Sequence, residues 1–306
     1  MQSPSELAVL REMAEPAGSE QQSDWLDPVT GDVLLQVMTE LASMMSILGR
    51  APAGRRITEI QACARTLLHD AARCITTRQI DPWTRIRLSP DEPAMSPSAS
   101  AARVGVFPLS ANPIHWGHLL SALSAMTAAR LDKIVFVICS DSSPAAENYP
   151  EELRRGAAAE AISLFQPLFT LVPASAGKTM SGPASLFRLL ALNGQQMVEA
   201  FYLAGWEPGS SESPVEVMDA LWGHAGGGPA PRNERLHPVS LMMMGPLAAR
   251  PHEALPDDRV RFVPQALPWI STAAVRSALR SSVHRDELAA LPACAFRHLR
   301  MLTAFD

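Results

Sequence analysis

The sequence predicts an α/β protein, a doubly wound parallel sheet with an N-terminal helical extension, and three observations carry that prediction. From Arg103 onward, short apolar runs alternate with helix-period patterns, the signature of parallel strands joined by crossover helices. Ahead of them, two long amphipathic patterns fill most of residues 31–79. Between the two regions the stretch LSPDEPAMSPSASA, after Arg87, reads as a linker by its Pro, Ser and Ala content. The expected division is residues 1–88 as the helical extension, 89–101 as the linker and 102–306 as the α/β domain.

Residues 1–28 hold Pro4, Pro16, Gly18 and Pro28 among polar residues, so only a short helix around Glu6 to Glu15 is expected there. From Gly31 the stripe Val33, Leu34, Val37, Leu41, Met45 and Leu48 marks a helix that Gly49 and Pro52 stop. A second stripe, Ile57, Ile60, Ala64, Leu67, Leu68, Ala71 and Ile75, marks another from Arg56 to about Gln79. Two antiparallel helices are the simplest product. Beyond the linker, strands are expected at Val104 to Phe107, Ile134 to Cys139, Phe169 to Val172, Phe201 to Ala204, Val239 to Met244 and Val260 to Val263. Helices fall between them near Leu119 to Arg130, Pro150 to Phe165, Pro183 to Val198 and Pro214 to Leu221, and Glu287 to Leu302 reads as a closing helix.

A chain of 306 residues can bury a large core, and 47% hydrophobic with 19% charged residues excludes a disordered protein. A formal net charge of -5 argues against a protein that grips nucleic acid, without excluding a local basic pocket. Cys63, Cys74, Cys139 and Cys294 are scattered without ligand spacing, which suits free thiols that fill core in a reducing compartment. No signal-peptide pattern opens the sequence, and no apolar run approaches the ~18 residues that span a bilayer. A cytoplasmic protein without a membrane partner is the expectation, and a homo-oligomer is left open.

The chemistry concentrates in RVGVFPLSANPIHWGHLLSA, residues 103–122. Val104 to Phe107 has the content of a buried strand, Pro108 ends it, and Leu119, Leu120, Leu123 and Met126 repeat at helical spacing. His115, Gly117 and His118 therefore sit where a strand hands over to the first turn of a helix. First-turn amides lack internal partners and carry the positive end of the dipole, so an anion is stabilised there, and two imidazoles add donors. With no convincing third ligand nearby, a metal site on the two histidines is not expected.

Pro108 to His118, PLSANPIHWGH, resembles the P-G-S-F-[DN]-P-x-H-x-G-H signature of the nucleotidyltransferase superfamily that includes the nicotinate and nicotinamide mononucleotide adenylyltransferases. Pro108, Ser110, Asn112, Pro113, His115, Gly117 and His118 match; the usual Gly is Leu109 and the usual Phe is Ala111. Late in the chain, Ile270, Ser271, Val275 and Arg276 match the superfamily's I-S-S-T-x-[IV]-R, with Thr272 for the second serine and Ala273 for the threonine. On its own that stretch is a helix capped by Ser271 or Thr272. Phe201 to Glu207 stands where relatives carry G-x-D after a strand.

The resemblance implies a Rossmann-like sheet and ATP-dependent adenylyl transfer to a phosphate-bearing acceptor, most like nicotinate or nicotinamide mononucleotide, with Mg²⁺ accompanying ATP. It implies His115, His118 and Arg276 as catalytic residues. Pro108, Ser110, Asn112, Gly117, Gly205, Glu207, Ser271 and Thr272 would line the nucleotide. A nucleotide-binding sensor or scaffold that has lost turnover is the alternative, because Leu109, Ala111 and Ala273 depart from the pattern. Lys178 follows a strand on the ligand side and reads more safely as solvated. Arg154 and Arg155 stand where relatives often have an arginine, and a surface salt bridge explains them equally well.

Overall fold

A computed structural model describes residues 27–93, 101–139, 149–173, 182–205, 239–245, 259–264, 270–281 and 285–303. The helices expected at Glu6 to Glu15 and Pro214 to Leu221 lie outside these residues.

Helix α1 spans Pro28–Leu48 and α2 spans Arg50–Thr76. The first begins three residues ahead of Gly31 because Asp27 caps it, its Oδ1 accepting from Val29 N at 2.9 Å, with Pro28 in the first position where it fits best. Gly49 ends it at φ 83, a left-handed angle that favours glycine. Pro52 does not separate the helices as expected. It falls in the first turn of α2, where a missing amide costs nothing, so α2 starts at Arg50 rather than Arg56.

Among the described helices α1 alone, with 21 residues at a mean hydropathy of 1.2, is long and apolar enough to cross a bilayer by length and composition. This corrects the expectation that no run approaches that length. Its stripe, Val33, Val37, Leu41 and Met44, is wholly buried in the protein core.

Strand β1 (Ala102–Leu109) leads through α3 (Trp116–Ala129) to β2 (Lys133–Ile138), and α4 (Glu151–Ser163) leads to β3 (Phe169–Leu171). Then come α5 (Gly182–Leu192), β4 (Val198–Gly205), β5 (Val239–Gly245), β6 (Val260–Pro264) and α6 (Thr272–Arg280). The closing segment is two helices, α7 (Arg285–Leu288) and α8 (Ala293–Thr303), not the single one expected. Pro292 cannot continue a helix and disfavours helical backbone at Leu291 before it.

The six strands lie in the order β3-β2-β1-β4-β5-β6, and every pair is parallel. The fold is therefore the doubly wound α/β sheet, with the order reversing between β1 and β4. Side chains alternate between two cores. Val104 and Val106 of β1 join Leu186 and Leu189 of α5 on one face. Phe107 and Leu109 join α3, α4 and α8 on the other, in a cluster that also takes in α1 and α2. Burial on both faces is why inner strands such as β2 read as apolar runs.

Two sets of buried polar contacts fasten the helical pair and the segment after it. Glu40 of α1, 8% exposed, accepts from Cys294 N at 2.6 Å and from Arg297 at 3.3 Å, so a carboxylate closes the positive end of α8. At the amino end of the sheet, Asp132 accepts from Asp81 N and Arg103 N, both at 2.8 Å. Lys133 donates to the carbonyls of Pro82 (3.0 Å) and Pro167. Asn193 grips residue 87, accepting from its amide at 3.0 Å and donating to its carbonyl at 2.9 Å. All four cysteines are free thiols.

Candidate functional site

The carboxyl ends of β1 and β4 flank the point where strand order reverses, which is where open α/β sheets bind ligands. The turn after β1 lies there. Ala111 bends it at φ 49, a left-handed angle that an alanine adopts only at some cost. Asn112 is fully buried, and its Oδ1 accepts from Tyr149 N at 3.1 Å. Leu109, the departure at the glycine position, packs into the α3 and α4 core at 8% exposure. It therefore points away from the turn.

His115 is the N-cap of α3 and only 3% exposed, while His118 is half-buried. Their rings stack at 3.7 Å between centroids and 20° between planes. His118 Nδ1 accepts from His115 N at 3.3 Å. Gly117 is required here: a Cβ on it would meet His115 Cε1 and Nδ1 at 2.9 Å each. Burial pushes His118 down to about 4. Burial first, and the neighbouring His118 second, hold His115 well below its ordinary value. Both imidazoles are neutral at pH 7.

The first-turn amides are not all open to an anion, as the sequence suggested. Trp116 N donates to Ala290 O at 2.8 Å and His118 N to His115 O at 3.0 Å.

The late segment reaches this turn. Ser271 caps α6, its Oγ accepting from Ala274 N at 3.3 Å. Thr272 Oγ1 lies 3.0 Å from His115 Nε2, across 157 residues of sequence. Arg276 donates from Nη1 to Asn112 O at 3.2 Å. Ala273 is exposed and brings no hydroxyl.

Two residues frame the site that sequence reasoning placed elsewhere or passed over. Arg154 is not in a surface salt bridge. It is 5% exposed and donates to the carbonyls of Tyr149 (3.0 Å), Ser110 and Cys139 (3.3 Å), tying the ends of β1 and β2 to the start of α4. Only Arg155 makes the expected pair, with Glu151 at 3.2 Å. The signal for Arg154 was its place on the stripe of Ala157, Ala158, Ala161 and Ile162, the inward face of α4. Burial raises the Tyr149 phenol, against the opposing pull of Arg280, Arg276 and Arg300.

Of the expected nucleotide contacts, Pro108 and Ser110 are half-buried beside the turn and Gly205 is exposed at the end of β4. Glu207 and Lys178 lie outside the described residues. A cavity of about 460 Å³ lined by Arg85, Lys133 and Phe169 opens at the opposite, amino end of the sheet.

Strand order thus defines the class, a doubly wound α/β protein whose early and late motifs meet at the switch point. No protein-family model and no curated protein matches the sequence. Among solved structures, the chain is similar to a Plasmodium falciparum nicotinic acid mononucleotide adenylyltransferase complexed with NaAD, at 11% identity over 67% of this chain and 98% of that one, with a TM-score of 0.47. A structure of the Plasmodium falciparum enzyme complexed with APC gives 11% identity, the same coverages of 67% and 98%, and a TM-score of 0.43.

Proposed function

We propose that the protein is a nucleotidyltransferase that moves the adenylyl group of ATP onto a phosphate-bearing acceptor, nicotinate or nicotinamide mononucleotide first among them. The observation that carries this reading is the meeting of the two motifs: the His115 to Thr272 contact at 3.0 Å and the Arg276 to Asn112 contact at 3.2 Å. Nothing in the local folding of either segment requires it.

In the reaction, an acceptor phosphate oxygen attacks the α-phosphorus of ATP in line and pyrophosphate leaves. The acceptor is already ionised at neutral pH, so no general base is needed. The protein's part is to supply donors where charge grows. Neutral His115 and His118 donate N–H to the α- and β-phosphate oxygens, and the amino end of α3 adds its dipole. Arg276 and the Ser271 cap hold the far end of the triphosphate. Mg²⁺ enters with ATP as part of the substrate, bound by phosphate oxygens and water, and draws charge from the leaving group. Among the described residues no three His, Cys, Asp or Glu side chains cluster as a metal site.

The test is incubation with ATP, Mg²⁺ and a panel of nicotinate, nicotinamide, phosphopantetheine and phosphocholine acceptors. Pyrophosphate release with one of them, lost in His118→Ala, is the expected result. Silence with all of them removes the enzymatic reading. The exposed Ala273, with no hydroxyl for phosphate, favours one rival, a nucleotide sensor without turnover. Calorimetry separates the two, since a sensor binds ATP and a nonhydrolysable analogue and yields no product.

A further inference from the structure

The two nitrogens of His115 have opposite surroundings. Nδ1 lies against the first turn of α3, beside Gly117, and is buried without completing a hydrogen bond. Nε2 meets Thr272 Oγ1 at 3.0 Å. A proton on Nδ1 would aim a buried N–H at the positive end of a helix and leave it without an acceptor, the costlier arrangement. A lone pair there faces the first-turn dipoles with the favourable sign, and the proton then belongs on Nε2. His118 is settled in the same sense, because its Nδ1 accepts the His115 amide and so cannot carry the proton.

We propose that Thr272 is a positioning residue: its hydroxyl oxygen accepts from His115 Nε2–H and holds that imidazole in the tautomer and orientation that make both rings of the turn donors. The functional consequence rests on the adenylyl-transfer reading. The threonine oxygen accepts where a phosphate oxygen would, so a ligand exchanges one acceptor for another and needs no change of tautomer. The late helix thereby sets the early motif before any nucleotide arrives. Thr272 stands one turn before Arg276 on α6, so a nucleotide that engages the guanidinium also meets a prepared imidazole.

The test needs no nucleotide. Long-range ¹H–¹⁵N correlation of the imidazole nitrogens at about pH 7, the histidines assigned by single replacement, reads the tautomers directly. Both His115 and His118 are expected as Nε2–H. In Thr272→Val, His115 alone should become a mixture of tautomers, and Thr272→Ser should restore the original pattern. A proton on Nδ1 of His115 in the unaltered protein overturns the proposal, as does a Thr272→Val spectrum identical to it. Because the first of these is read without any substitution, a valine variant that fails to fold does not remove the test. The two readings fail separately. Nε2–H on both rings with no pyrophosphate from any acceptor keeps the positioning role and removes the enzyme; Nδ1–H on His115 in an active protein does the reverse.

Discussion

The two ends of the sheet differ in how completely they satisfy the polar side chains they bury. At the amino end Asp132, Lys133 and Asn193 each close on backbone groups of other segments, two partners or more apiece. At the carboxyl end Arg154 and Asn112 close on backbone groups too, but beside them His115 Nδ1 and Trp116 Nε1 are buried with no partner, and two neutral rings stack instead of pairing with a charge. Gln196 Oε1 is the amino end's exception. Buried polar groups cost stability unless satisfied. One end has satisfied them within the chain and is scaffold; the other holds donor capacity and strain in readiness, the condition of a site.

Substitutions should split along that line. The largest effect is expected from His118→Ala, which on the proposed function removes a donor to the developing charge and should slow adenylyl transfer by about 10²–10³-fold, with a much smaller change in melting temperature. Gly117→Ala should approach it by driving a methyl into the His115 ring. Steady-state pyrophosphate assays beside thermal melts read both. Equal losses of activity and stability would erase the distinction between the two ends.

Asp132→Ala is the mirror experiment. It strips the acceptor from two backbone amides and should cost about 2–4 kcal/mol in urea denaturation, while the rate per folded molecule holds.

Acid sharpens the contrast from the other side. The ordinary value of His118 is 6.5, and burial lowers it to about 4 in the fold. As pH falls below about 6.5 the unfolded chain takes up the proton first, so stability should decline across the window down to about pH 4, by up to about 3 kcal/mol. His115 adds to the same slope. Denaturation midpoints across that window should flatten in His118→Gln, and an unchanged slope would mean the ring is solvated. The smallest effect belongs to Glu40→Gln, which weakens the cap on α8 by about 1 kcal/mol in the same measurement.

All six strands were legible in the sequence, since a strand buried on both faces leaves a run such as Val104 to Phe107 that little else produces. The meeting of the two motifs was legible only through their resemblance to a known pattern; spacing along the chain carries no information about residues 157 apart. Helix boundaries were misplaced where capping overrode composition. Asp27 and Pro28 started α1 early, and Pro52 opened α2 instead of ending its neighbour. Asp132 and Lys133 were invisible because a charged pair before a strand looks like any turn. Arg154 was left between a family position and a surface ion pair because an arginine near glutamates suggests a pair, whereas its helical phase put it inside.

The carboxylate of Glu40 ties the earliest described helix to the opening of the last one. A protein shortened from its front, keeping the whole sheet and both motifs, would be damaged at its rear: the final helix would lose its clasp and the stretch leading into it, which holds the Trp116 amide through Ala290, would loosen beside the histidines. Cutting away what looks like an appendage would thus be felt at the opposite extremity of the polypeptide, and through it at the turn that carries the two histidines.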